Sequence, residues 1–194
     1  ESFEILKSFA SPCDEIIFQL AYSKLASQLQ DDIDGLIPLR IAFLGNATLD
    51  QWVDSLRFWL LFEGLKLEEL IIPFGTWQQH ILDVNSYFYK FDPEITWFFL
   101  QHDDIGLDEK YLVDANLKES ESSEILNQAL NGLLGQLSIV RKNISSLFVI
   151  NNFLPPFNRT FGNYEGSVNF SRSMLIQQLN LDVANNLPEG CCIF

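Results

Sequence analysis

The sequence predicts an α/β fold: a three-layer sandwich on a mostly parallel five-stranded sheet. Short apolar runs alternate with stretches of helical spacing along the whole chain, the pattern of parallel strands joined by crossover helices. Several of these runs, IAFLG, TWFFL and LFVI among them, are apolar at nearly every position, as strands buried on both faces are. The runs give way to polar or glycine-containing loops that start at Gly45, Phe74, Gln101 and Asn151. In open α/β sheets the functional loops lie beyond the carboxyl ends of the strands, so these four are the places to look for a site.

Taken in order, residues 12–30 carry Ile16, Ile17, Leu20, Leu25 and Leu29 at helical spacing, with Ser11 or Pro12 opening the helix. DDIDG at 31–35 is polar, ends in glycine and reads as a linker. Residues 1–35 are thus expected to be a helical extension packed on a main domain of residues 36–194. In that domain LRIAFLG is the first strand. Leu49, Trp52, Val53, Leu56, Phe58, Trp59, Leu60 and Phe62 then give a broad apolar helix face, which Gly64 ends. Residues 66–74 become strand-like towards their end, 75–93 form a short helix and loop closed by Asp92-Pro93, and 94–101 form a third strand. A polar excursion over 102–122 leads into a helix at 123–143, with Ile125, Leu126, Leu130, Leu133, Leu134 and Leu137 on one face. Residues 145–153 read as a strand, the following Pro-, Gly- and Asn-rich stretch as a long loop, 168–188 as a helix, and CCIF as the start of a fifth strand.

Composition narrows the function. Nearly half the residues (47%) are hydrophobic and 17 are Phe, so the chain folds around a sizeable core. A net charge of −14 argues against nucleic acid, which needs a basic face, and against an anionic membrane surface. Cys13, Cys191 and Cys192 are an odd set with two direct neighbours, which does not read as a disulfide framework. Buried thiols in a reducing compartment, the cytoplasm, are expected. N-x-S/T sequons occur at Asn46, Asn143, Asn158 and Asn169, without support for secretion from the cysteines. No stretch approaches the roughly 20 apolar residues of a membrane span, and no signal peptide is present. The chain opens on Glu and its last residues are an apolar run, so it is expected to be a domain of a longer protein.

Three stretches carry a resemblance: LRIAFLGNATLDQW, then LIIPFGTWQQHILDVNSYFYKFDPEI, then TWFFLQHDD. The turn Gly45-Asn46-Ala47-Thr48 stands where SGNH (GDSL-type) hydrolases, which have a flavodoxin-like fold, carry their Gly-Asp-Ser block. The chain resembles more closely one offshoot of that fold, the N-terminal SGNH-like domain of FkbH-like proteins of the HAD superfamily. The run from Pro73 to Glu94 is the most specific part, and the likeness extends over about residues 36–194. The resemblance implies a place in polyketide or related biosynthesis. There a HAD domain takes a phosphorylated glycerate unit, dephosphorylates it and loads a glyceryl group onto an acyl carrier protein. The Asp-x-Asp-x-Thr motif and Mg²⁺ of that chemistry are expected only in a downstream HAD domain, and no cofactor is expected here.

The hydrolase chemistry that the resemblance implies does not map onto these residues. The nucleophile position holds Ala47, whose methyl group cannot attack a carbonyl. Thr48 reads as a helix cap, with a replacement nucleophile as the alternative. Gly75 could be the oxyanion glycine of the second block, and Asp103 stands near the position of the Asn donor, where a carboxylate would repel an oxyanion. The base should be a His near the C-terminus, yet no His follows His102. The domain is therefore expected to be a degenerate hydrolase without ester hydrolysis of its own. It would position a carrier protein or substrate for a covalently linked HAD domain, or buttress that domain. Trp77, Gln78, His102 and Asp104 are the candidate binding residues, and Arg57, Arg141, Lys142, Arg159 and Arg172 the cations for docking an acidic carrier. The alternative is a working esterase or acyltransferase that uses Thr48 or Asp103, and a flavodoxin-type cofactor domain ranks below both. His80, His102, Asp103 and Asp104 could form a metal site, but a polar loop plus a helix histidine is the simpler reading. The aromatics Trp52, Trp59 and Trp97 read as core.

Overall fold

A computed structural model describes residues 2–107, 119–155, 157, 159 and 161–194. The sequon at Asn158 and residues 108–118 of the polar excursion lie outside them. Five strands, β1 (Ile37–Gly45), β2 (Leu65–Ile71), β3 (Ile95–Phe99), β4 (Leu147–Ile150) and β5 (Cys191–Ile193), form one sheet in the order β2-β1-β3-β4-β5. The register is parallel where β3 meets β4, with Ile95 opposite Leu147 and Phe98 opposite Ile150, and where β4 meets β5, with Phe148 opposite Cys191. Helices flank the sheet, as expected of the three-layer α/β sandwich. This strand order reverses direction between β1 and β3, which opens a crevice at their carboxyl ends.

The chain divides into two compact units. The first comprises Glu1–Ile41 and Thr48–Ile71. It contains α1 (Ser2–Phe9), α2 (Ile16–Leu29) and α3 (Asp50–Phe62). Phe3, Leu6, Tyr22, Ala26, Phe58 and Leu61 form its buried cluster, with the Tyr22 and Phe58 rings stacked at 5.3 Å. α1 has no counterpart in the sequence reading. A helix of eight residues is not stable by propensity and forms here because Phe3 and Leu6 are buried in that cluster. α2 opens at Glu15 and not at Ser11 or Pro12. Those residues form a preceding turn, in which the Ser11 amide donates to Asp14 Oδ2 at 2.8 Å. The inward residues of α2 are Tyr22, Ser23 and Ala26, whereas Ile16, Ile17 and Leu25, read from the sequence as its packing face, are exposed. The N-cap of α3 is Leu49, which makes no side-chain capping bond, so Thr48 lies one residue outside the cap position expected for it.

The second unit comprises Ala42–Ala47 and Ile72–Phe194. It contains α4 (Trp77–Leu82), α5 (Tyr87–Phe91), α6 (Glu119–Asn143) and α7 (Arg172–Asn186), with α6 packed against α4 and α7. Phe43, Phe98, Phe148, Leu133, Leu137 and Ile176 are buried in it. α7 starts as the sequence chemistry demands: Ser171 is its N-cap, and its hydroxyl oxygen accepts from the Met174 amide at 3.3 Å. The buried Glu165 carboxylate accepts from the Phe161 amide at 3.0 Å and the Ser173 amide at 3.3 Å, tying the long loop to the start of α7. At the other end of the sheet Arg141 donates to the carbonyls of Ser146 (2.6 Å) and Gly190 (2.9 Å) and lies 3.9 Å over the Phe148 ring.

The three cysteines are free, but only Cys191 is partly buried, and burial pushes its thiol above the ordinary value. Cys13, in the turn before α2, and Cys192 are exposed, against the expectation of buried thiols; Cys192 is so because neighbours on a strand point to opposite faces. Among the described residues no helix is long and apolar enough to cross a membrane.

Candidate functional site

The crevice at the carboxyl ends of β1 and β3 is built entirely by the second unit. Gly45 ends β1 with its α-carbon against the β3 backbone. A Cβ there would lie 1.9 Å from the Phe99 carbonyl oxygen, so only glycine lets the two strands approach so closely. The next residue, Asn46, turns its amide into the crevice. Its Oδ1 accepts from the Gly75 amide at 2.7 Å, and its Nδ2 donates to Asp104 Oδ1. One side chain therefore joins the loops that follow β1, β2 and β3.

Each partner is positioned by its own turn. Gly75 is the third residue of a turn closed by the Thr76 amide on the Pro73 carbonyl at 3.1 Å. Its φ of 76° is the left-handed value such a turn requires, and glycine adopts it without strain. Asp104 belongs to a 3₁₀ turn over His102–Ile105. Its Oδ2 accepts from the Gln101 amide at 2.7 Å, and the Gln101 side chain caps the Asp104 amide in return, a reciprocal capping box. Burial raises the Asp104 carboxyl above its ordinary value. The Gln101 amide and the Asn46 amide pull it back down, Asp103 nearby raises it, and His102 lowers it.

Among the residues singled out from sequence, Gly45, Asn46, Gly75 and Asp104 come together, with Ala47 half-buried beside Asn46. Gln78 reaches the Asp104 carbonyl at 3.4 Å. Asp103 is exposed, and the carboxylate that Asn46 meets in the crevice is Asp104. Thr48 is exposed. Trp77 is 2% exposed and packs edge-on against Phe98 at 6.4 Å. It is a core residue and not the lining of a substrate path, because the first turn of α4 faces the sheet. His102 is held within its own loop, its Nδ1 2.9 Å from the Leu107 carbonyl, and His80 lies against Tyr87 with ring centroids 4.3 Å apart. The two imidazoles are thus separately engaged, and among the described residues no group of three or more His, Cys, Asp or Glu side chains converges to hold a metal ion.

Beside the crevice lies a cavity of about 560 Å³ at the ends of β3, β4 and β5, lined by Leu100, Gln101, His102, Asn152, Leu154 and Phe194 among others. Its wall is held by Asn151, whose Oδ1 accepts from the Leu100 amide at 2.8 Å and whose Nδ2 donates to the Leu100 carbonyl at 3.0 Å. Asn180 of α7 makes the same two-way clamp on Phe153, at 2.8 and 2.9 Å. Sequence reasoning marked the loop at Asn151 but not these amides. An Asn just past an apolar run is the signal that was available, since a primary amide can satisfy one N–H and one C=O at a frayed strand end.

Of the cations weighed for carrier docking, Arg57 is held by Asp54 and Glu69, both at 2.5 Å. Arg141 is used by the Ser146 and Gly190 carbonyls, and Arg172 is buried. Lys142 is exposed.

No protein-family model matches the sequence, and no curated protein matches it. Among solved structures, the fold is similar to the N-terminal part of the protein BF1531 from Bacteroides fragilis, a structure containing a phosphatase domain and complexed with Mg. The TM-score is 0.64 at 18% identity, over 89% of this chain and 43% of that one. The chain thus spans less than half the length of that solved chain, and the likeness is one of fold.

Proposed function

We propose that this chain is a hydrolase-like, non-catalytic N-terminal domain of an FkbH-like protein. It positions an acyl carrier protein, or the unit the carrier holds, for a linked HAD phosphatase-type domain in polyketide or related biosynthesis. The carrying observation is the Asn46 bridge. In the SGNH scheme the Gly75 N–H would be an oxyanion donor, and here it is already taken by Asn46 Oδ1 at 2.7 Å. The neighbouring nucleophile position is Ala47, and the carboxylate facing the crevice would repel a developing oxyanion. Of the groups such catalysis needs, the oxyanion donor is tied into a structural hydrogen-bond network, the nucleophile is a methyl group and a carboxylate faces the crevice, while the fold is kept.

The fold likeness to the N-terminal part of a protein that contains a phosphatase domain supports the wider context. The cavity beside the crevice falls within the about 300–1,000 Å³ of small-molecule sites, and its mixed amide and apolar wall suits a flexible carrier arm. Mg²⁺ is assigned to the linked phosphatase-type domain and to no residue of this chain. With Arg57, Arg141 and Arg172 engaged internally, Lys142 and Arg159 are the candidate cations left exposed for docking an acidic carrier, and raising the salt should weaken its binding.

The test has two arms. Ala47→Ser, and Ala47→Ser combined with Asn46→Asp, should give no burst and no turnover with a model aryl ester. Titration of a pantetheine-loaded carrier protein should shift the amide signals of Asn152 and Leu154. An acyl-enzyme burst in either variant would overturn the non-catalytic reading. Unchanged signals up to millimolar carrier would remove the positioning role.

A further inference from the structure

The cavity at the ends of β3, β4 and β5 has a wall without Lys, Arg, Asp or Glu among the described residues. Its apolar part includes Leu100, Leu154 and Phe194. Most of its polar atoms are already spent. Asn151 uses its oxygen on the Leu100 amide and its nitrogen on the Leu100 and Asn152 carbonyls, at 3.0 and 2.9 Å. The Gln101 side-chain oxygen accepts from the Asp104 amide. His102 is spent on one edge only. Its Nδ1 lies 2.9 Å from the Leu107 carbonyl oxygen, which can only accept, so in the neutral ring Nδ1 carries the proton and Nε2 the lone pair. Leu107 is fully buried, so the Nδ1 edge of the ring is turned into the protein. Among the described residues nothing hydrogen-bonds to Nε2, and it is not one of the buried atoms left without a partner. What the wall offers a ligand is thus this acceptor, the exposed Asn152 side chain and the Gln101 amide nitrogen, all of them uncharged groups.

We propose that this cavity selects a neutral, amide-bearing chain, with one ligand N–H donating to His102 Nε2, and turns phosphorylated groups away. The inference rests on the carrier-positioning reading and narrows it: the cavity receives the arm of the carrier and not a phosphorylated unit. Charge decides the class of ligand. A phosphate that leaves water needs cations or a cluster of N–H donors around it. The wall holds no cation, and the field of a chain of net charge −14 adds to the repulsion. Hydrogen bonding decides which neutral ligand. An imidazole acceptor fixed by its own loop rewards a donor and penalises a ligand that sets a carbonyl against it. A secondary amide supplies that N–H and keeps its own carbonyl for the amide N–H groups of Asn152 or Gln101. A pantetheine arm is a neutral chain of such amides joined by methylene groups, which suit Leu100, Leu154 and Phe194. The phosphate that ties the arm to its carrier stays outside. His102 is here a binding residue that reads the arm and takes part in no bond-breaking step.

NMR titration of the whole chain tests it, with free pantetheine as the neutral probe and phosphoglycerate as the charged one. Pantetheine should shift the Leu100 and Asn152 amide signals by about 10 mM, the range of a weak small ligand. Phosphoglycerate at the same concentration should leave them in place. His102→Asn keeps an amide nitrogen where Nδ1 stands, to donate to the Leu107 carbonyl, but places no atom at Nε2. It should bind pantetheine about 10-fold more weakly, the effect of one lost hydrogen bond. His102→Gln carries an amide oxygen to the Nε2 position and should stay within about 3-fold of the unaltered protein. Pantetheine methylated on the amide nitrogen that donates should lose as much with the unaltered protein, and should lose nothing further with His102→Asn. That last comparison reads the hydrogen bond itself and not a change in the loop. Equal affinity in all three proteins, or phosphoglycerate shifting the same amides, would overturn the inference and leave the positioning role standing. No shift with pantetheine would overturn it as well. The positioning role then stands if a pantetheine-loaded carrier protein still shifts Asn152 and Leu154, and falls with it if the carrier does not.

Discussion

Replacing Asn46 by Asp exchanges one amide nitrogen for an oxygen and leaves the shape of the side chain unchanged. The Gly75 amide keeps its acceptor, but the group facing Asp104 Oδ1 changes from a donor to a second carboxylate oxygen. Two unit charges about 4 Å apart repel by about 4 kcal/mol at an effective dielectric of about 20. Both side chains are half-buried, so solvent reduces this to about 2 kcal/mol. The pair relieves the repulsion by retaining a proton. The Asp104 carboxyl already lies above its ordinary value of 3.8, chiefly through burial, and the substitution pushes the pair further the same way. A carboxyl raised in the folded state gives stability that is fully present below its unfolded value. That stability is lost as pH rises through the folded value. Urea unfolding of Asn46→Asp should therefore match the unaltered protein near about pH 4. By about pH 8 the variant should fall about 2 kcal/mol behind, a midpoint lower by about 1 M for a slope of about 2 kcal/mol per molar urea. Asn46→Ala removes the donor that lowers the Asp104 carboxyl without adding a second carboxylate, so its deficit should also grow with pH but by less than that of Asn46→Asp. An Asn46→Asp deficit equal at both pH values, or absent at the higher one, would refute the argument that Asn46 and Asp104 meet across the crevice.

Two further substitutions test the backbone that builds the site. Gly45→Ala places a Cβ 1.9 Å from the Phe99 carbonyl oxygen, backbone against backbone with no flexible atom to yield. It should cost about 3 kcal/mol in denaturant unfolding, and a loss under about 1 kcal/mol would mean that β1 and β3 are not so closely apposed. Gly132→Ala acts in the opposite direction. Gly132 lies inside α6 with open space where its Cβ would be, so helix propensity alone should raise stability by about 1 kcal/mol. A melting temperature that stays put or falls would show that Gly132 serves another contact.

In the proposed reading, the crevice keeps the architecture of a hydrolase-like site without its reactive groups. Asn46, Gly75 and Asp104 stand on three different loops, and Gly75 and Asp104 are each held by a turn of their own. The network ties the loops at the point where the sheet reverses direction, the place where open α/β sheets bind ligands. In the proposed role that rigidity is useful in itself, because a domain that positions a partner needs a fixed surface more than a reactive group.

The alternation of apolar runs and helical spacing was enough to determine the α/β class, the sheet and the continuous burial of β1 and β4, because periodicity depends on which residues must leave water, whereas β3, read as buried on both faces, alternates between buried and half-buried residues. It also determined that Ala47 cannot be a nucleophile and that no imidazole follows His102, since residue type alone settles those points. Spacing does not report which side of a helix finds a neighbour. Hence α2, read with Ile16, Ile17 and Leu25 inward, packs through Tyr22, Ser23 and Ala26, and Trp77, read as a site residue, is core. Only the tertiary structure selected Asp104 over the adjacent Asp103, through a 3₁₀ turn that aims one carboxylate inward and leaves the other in solvent. It alone brought Asn46 within reach of Gly75 and Asp104, 29 and 58 residues away. Such meetings depend on strand order and loop direction, which follow from the packing of the whole chain and have no signature in any short stretch of it.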